Sequence, residues 1–164
     1  MSDAAKKVAK YGSYNQYEYM SLIDLKSGNE LVFHTDKEFD SVGGKVLRDF
    51  LENNKDASVA FIHNHNESTK LSFPDVEIMA NNNQIKLVAA VRNDGIISVI
   101  ESNGKHTTEY LPLRYDNEVI KYRDGKYGKY VPIESTHKYM LEKEQLLINL
   151  TIEEFAEGGM IIYE

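Results

Sequence analysis

The chain has 164 residues and a mass of 18.8 kDa, the size of one domain. Hydrophobic residues at 41% and charged residues at 27% supply enough apolar material for a core and exclude a disordered chain. A net charge of −7 repels a phosphate backbone and sets nucleic acid aside as a general partner, while zero cysteines exclude disulfides, thiolate nucleophiles and cysteine-ligated metals.

The stretch from Met1 to Tyr11 carries lysines but is not followed by the apolar run of about 7–15 residues that a signal peptide needs. No run approaches the ~18 apolar residues of a membrane span, so a cytoplasmic protein with no membrane partner is expected. Glu18 to Asp24 and Asn29 to His34 are short β-rich runs on either side of Lys26-Ser27-Gly28, which predicts a hairpin. Asp40 or Ser41 can cap a helix whose apolar face is Val42, Val46, Leu47, Phe50 and Leu51, ended by Asn53-Asn54. Ala57 to Ile62 is nearly continuous apolar sequence, the pattern of a central strand, and it delivers His63 to a loop that carries His65 and Glu67.

Ser72 stands as the N-cap of a following helix, with Pro74 in its first turn, where a missing N–H costs nothing, and with Asn81-Asn82-Asn83 closing it. Lys86 to Arg92 and Ile96 to Glu101 read as strands joined at Asn93-Asp94-Gly95. The order to this point is that of an α/β or α+β fold with one mixed sheet. From Tyr110 to Tyr130 tyrosines alternate with basic residues, which suggests a hairpin or loop. Glu134 to Asn149 has helical spacing, Thr151 with Glu154 looks like a second capping box, and a short strand is expected at Met160 to Tyr163.

Two of the five histidines stand as His63-Asn64-His65, and alternate residues of an extended segment point the same way. Ten residues after His65 comes Asp75, in the first turn of the predicted helix. Two imidazoles and a carboxylate are a frequent hydrolytic zinc shell that leaves a fourth position for water. Such a site also needs a general base and a donor for the oxyanion, which a serine hydroxyl can supply.

The string from Ile62 to Asp75 resembles the H-x-H…S-x-x-D signature of the JAB/MPN (JAMM) zinc metalloproteases, and is most similar to their bacterial and phage RadC-like branches. The resemblance spans residues 17 to 101. It implies a JAB/MPN-like (cytidine deaminase-like) mixed β-sheet flanked by helices, with residues 1–105 as the core and 106–164 as a C-terminal hairpin and helical extension on the same domain. It further implies Zn2+ held by His63, His65 and Asp75, with Ser72 supporting the oxyanion and Glu18 as general base and then acid. The substrate would be a protein or peptide, ubiquitin-like proteins among the candidates, cleaved at a peptide or isopeptide bond. Two departures lie in the loop: Asn66 replaces the usual proline, and six residues separate His65 from Ser72 where the better-known eukaryotic members have seven.

Simpler readings stand beside these. Ser-x-x-Asp is also a plain helix start, which is compatible with a catalytic serine. Glu30 and Glu38 compete with Glu18 as base, and so does Glu67, which shares a loop with the histidines. Adjacent His-Asn-His is no support for an HNH nuclease, whose residues come from separated positions. His34, His106 and His137 lack ligand spacing. The tyrosine-rich basic stretch could stack on single-stranded nucleic acid, but Asp116, Glu118 and Asp124 offset three of its five basic charges. The alternative function is a non-catalytic binding module on the same fold, such as a phage structural or nucleic-acid-associated domain.

Overall fold

In the computed structural model, which describes residues 2–66 and 70–164, six strands form one sheet. They are β1 (Met20–Asp24), β2 (Glu30–His34), β3 (Val59–His65), β4 (Ile85–Arg92), β5 (Ile97–Ser102) and β6 (Ala156–Tyr163). Their order is β2-β1-β3-β4-β5-β6; β3 and β4 run parallel, and the other neighbours are antiparallel. The class is therefore mixed α/β. Every residue of β3 is buried, as its near-continuous apolar run requires for a strand covered on both faces.

Alternation along β3 sorts the two layers. Ala60 and Ile62 face helix α1 (Ser2–Asn15), whose Ala4, Ala5 and Val8 are buried against them. Val59 and Phe61 face the larger core, built with α2 (Gly44–Asn53), α3 (Phe73–Asn81), the short α4 (Leu111–Arg114), α5 (Asp116–Tyr127) and α6 (Thr136–Phe155). His63 and His65 share the face of Phe61, so period 2 alone aims both imidazoles toward the start of α3.

The chain departs from the sequence-based expectation in several places. The N-terminal segment is a helix, read from Ala4, Ala5 and Val8 as one small apolar stripe. Neither Asp40 nor Ser41 caps α2. The helix starts after Gly43, held at φ 85 with its N–H donated to Asp36 Oδ2 at 2.6 Å, and a Cβ there would lie 2.1 Å from Met20 Sδ. His65 lies in β3 and not in a loop. The expected hairpin at 110–130 is α4 and α5, because Leu111, Tyr115 and Val119 recur every four residues and bury one helical face despite the tyrosine-rich composition. Finally, α6 runs unbroken through Thr151, whose buried hydroxyl donates to the Leu147 carbonyl at 2.8 Å instead of capping a new helix.

The last strand is longer than expected. β6 begins directly after α6 and pairs with β5, with Gly158 and Gly159 at positive φ where the register shifts. The predicted turn at 26–28, the end of α2 at Asn53 and the Ser72 start of α3 agree with the structure. Among the described residues, no helix is long and apolar enough to cross a membrane.

Candidate metal centre

Three side chains meet where the C-terminal end of β3 faces the N-terminus of α3. His63 Nε2 lies 2.9 Å from His65 Nε2 and 3.0 Å from Asp75 Oδ1, and His65 Nε2 lies 3.3 Å from Asp75 Oδ2. All three residues are buried, with exposures of 2%, 7% and 7%. Metal–ligand bonds of about 2.0–2.1 Å in a tetrahedron place neighbouring ligand atoms about 3.3 Å apart, so this spacing fits a small divalent cation. Two imidazole nitrogens facing each other beside one carboxylate are also the donor set that such an ion would bind.

Local structure fixes each of the three side chains. The His63 ring stacks on Phe61 at 5.0 Å between centroids and 27° between planes. Its Nδ1 is buried without a hydrogen-bond partner among the described residues, so packing holds this ring where an outer-shell acceptor usually does. Asp75 is the third residue of α3; its Oδ2 accepts the Ser72 N–H at 2.6 Å and the Ser72 hydroxyl at 2.7 Å. The cap and the site are thus one construction, and the same carboxylate that closes the helix start faces the histidines. Burial alone would raise the Asp75 carboxyl, but His63 and then His65 beside it hold it well below the usual carboxylate range.

Glu18 reaches the same cavity through sheet register. Met20 pairs with His63 in the antiparallel β1–β3 ladder, so the residue two positions earlier comes opposite His65 on the same face. Glu18 is 8% exposed, and burial pushes its carboxyl up to about 7. His63 and His65 pull it down, while the negative charges of Asp75 and Asp40 add to the rise. Glu18, His63, His65, Ser72 and Asp75 line one cavity of about 180 Å³.

The competing carboxylates lie elsewhere. Glu30 is bonded to Lys7 at 2.5 Å and Ser21 at 2.6 Å, away from the cavity. Glu38 is exposed and meets Glu18 only through its carbonyl, which accepts the Glu18 N–H at 2.8 Å. Glu67 lies outside the described residues. Of the remaining histidines, His34 pairs with Asp36 at 2.8 Å, and His106 and His137 are exposed.

Comparison of the chain with protein-family models, curated proteins and solved structures finds no match. The chemical reading therefore rests on the geometry together with the sequence signature.

Three residues of the site were not picked out from the sequence. Asp40 and Ser41, expected at a helix start, line the cavity. Asn64, between the two histidines, points to the opposite face. Its Oδ1 accepts the Tyr19 N–H at 2.7 Å, its Nδ2 donates to the Tyr17 carbonyl at 3.2 Å, and its own N–H reaches the Tyr19 carbonyl at 3.2 Å. These bonds grip the chain on both sides of Glu18. Helix α1 closes over this amide at Gly12, where a Cβ would lie 2.1 Å from Asn64 Nδ2. A polar residue inside an otherwise apolar strand was the available signal, since a buried amide must be hydrogen-bonded.

Proposed function

We propose that the protein is a zinc-dependent hydrolase of JAB/MPN type that cleaves a peptide or isopeptide bond. The observation that carries this reading is one small cavity in which two imidazoles, a carboxylate, a second buried carboxylate and a serine converge. The succession of β1, the His-x-His strand β3, helix α3 and the β4–β5 pair is the order that the resemblance implies for the fold.

His63, His65 and Asp75 would hold zinc, which when bound supplies a Lewis acid that polarises a carbonyl and brings water into the range of deprotonation near neutral pH. Glu18, across the sheet from His65, accepts a proton from the attacking water. As the new C–O bond forms, the Ser72 hydroxyl turns from Asp75 Oδ2 to donate to the developing oxyanion. Glu18 then returns the proton to the nitrogen of the breaking C–N bond, so the amine leaves neutral. Asn64 keeps the Glu18 backbone in place throughout.

The test is Glu18→Gln. It removes the base but none of the three ligands, so the variant retains about one zinc per chain while turnover of peptide or isopeptide substrates falls by about 10²–10⁴-fold. A Glu18→Gln protein that cleaves at the wild-type rate overturns this assignment of the base.

A further inference from the structure

The groove system around the cavity adds a substrate class to the hydrolase reading, on which it rests. One groove, of about 590 Å³, lies between α2 and the C-terminal end of α3 and shares Val42 and Ile78 with the site cavity. A second, of about 410 Å³, lies between the start of α3 and α6 and shares Pro74 with it. Pro74, Ile78 and Asn81 follow the i, i+4 and i+7 spacing of one helical stripe, so the two grooves and the site between them form a single track along α3. Eight residues of helix rise about 12 Å, the length of about four residues of extended polypeptide.

The two ends of the track differ in chemistry. The α2 side carries Arg48 and Lys55 against the single acid Glu52, with the exposed amides of Asn81 and Asn83 beside them. Arg48 and Lys55 are exposed, and neither pairs with a carboxylate among the described residues, whereas Lys45 of the same helix is tied to Asp49 at 2.6 Å. In a chain of net charge −7, two unpaired cations beside a cavity are an electrostatic preference. The α6 side is floored by Phe73, Pro74, Met140, Leu141 and Leu147, rimmed by His137, Lys143 and Glu144. Met140 and Leu141 are 55% and 56% exposed, apolar surface that a substrate side chain would cover.

We infer that an extended polypeptide lies along α3 across the site, with acidic residues on the α2 side of the scissile bond and an apolar residue on the α6 side. Charge complementarity favours this occupant over a basic segment.

The experiment uses fluorescein-labelled peptides with Glu-Glu and Leu on opposite sides of a central amide, in both orders, and matched peptides carrying Lys-Lys or Ala. They are titrated by fluorescence anisotropy into zinc-loaded Glu18→Gln protein. The Glu/Leu peptide in one order should bind best, weakening about tenfold or more with Arg48→Glu/Lys55→Glu while the Lys-Lys peptide gains. Met140→Asp should weaken the Leu peptide and leave the Ala peptide unchanged. A folded charge-reversed variant that fails to swap preference, equal binding of Glu and Lys peptides by the parent, or no binding at all overturns the inference. Binding with the charge swap but no cleavage by wild type removes the hydrolase reading and keeps the track; cleavage indifferent to the flanking residues does the reverse.

Discussion

Replacing Gly12 by alanine separates this packing account from helix propensity alone. In an exposed helix interior the change should stabilise by up to about 1 kcal/mol. At Gly12 the new methyl would lie 2.1 Å from Asn64 Nδ2 and 2.5 Å from its Cγ, so either the amide turns away or α1 lifts off the sheet. Turning the amide strips the buried Tyr19 N–H of its 2.7 Å acceptor, a loss of about 1–3 kcal/mol, and lifting the helix costs about as much in packing. Set against the propensity gain, either loss leaves about 1–2 kcal/mol of net destabilisation, read as a lower urea midpoint with an unchanged slope. Gly125→Ala, in α5 with nothing within 4 Å of the added Cβ, is the control and should stabilise by about 0.5–1 kcal/mol. A Gly12→Ala protein as stable as wild type would refute the argument that Asn64 and α1 are locked together.

Other expectations follow from the same geometry. Glu30→Gln, away from the cavity, should leave turnover unchanged, and a large loss would show that the base has been misassigned. Burial raises the Glu18 carboxyl, so its favourable contribution is complete below pH 4.5 and is lost as pH rises through about 7. Metal-free Glu18→Gln should therefore unfold at higher urea than wild type at pH 8, and the gap should close toward pH 4.5; no gap at pH 8 contradicts the buried placement. Glu142 has the opposite sign: bonded to Lys126 and Tyr127, its carboxyl is held down at about 2, so its contribution is present above about pH 4.5 and fades as pH falls toward 2. Urea midpoints of Glu142→Gln and wild type should converge over that window and also in high salt, and a gap independent of pH would contradict the ion pair.

How much was legible varied with the range of the interactions involved. The meeting of His63, His65 and Asp75 could be read because it depends on two local rules: alternation in a strand, which aims His63 and His65 together, and the start of a helix, which fixes Asp75 beside Ser72. Glu18 needed β1 to pair antiparallel with β3 in one register, which was reached through the family resemblance and not from periodicity. Asn64 is not legible from local sequence because its partners, Tyr17 and Tyr19, lie just before another strand, nor is Gly12, whose reason for being glycine is the Asn64 amide. At 110–130 tyrosine and charge content suggests a hairpin, but the four-residue recurrence of Leu111, Tyr115 and Val119 decides for helix. At Thr151 the capping pattern is ambiguous, because an interior threonine can equally bond back to the carbonyl four residues earlier.

Metal content is the most direct test of the central claim. Protein purified without a histidine tag, wild type and His63→Ala alike, is analysed for bound elements before and after zinc is added back and excess removed. The account predicts about one zinc per wild-type chain and its loss in the variant, since one of three buried ligands is gone. Wild-type protein that holds no metal even after zinc is supplied would contradict it.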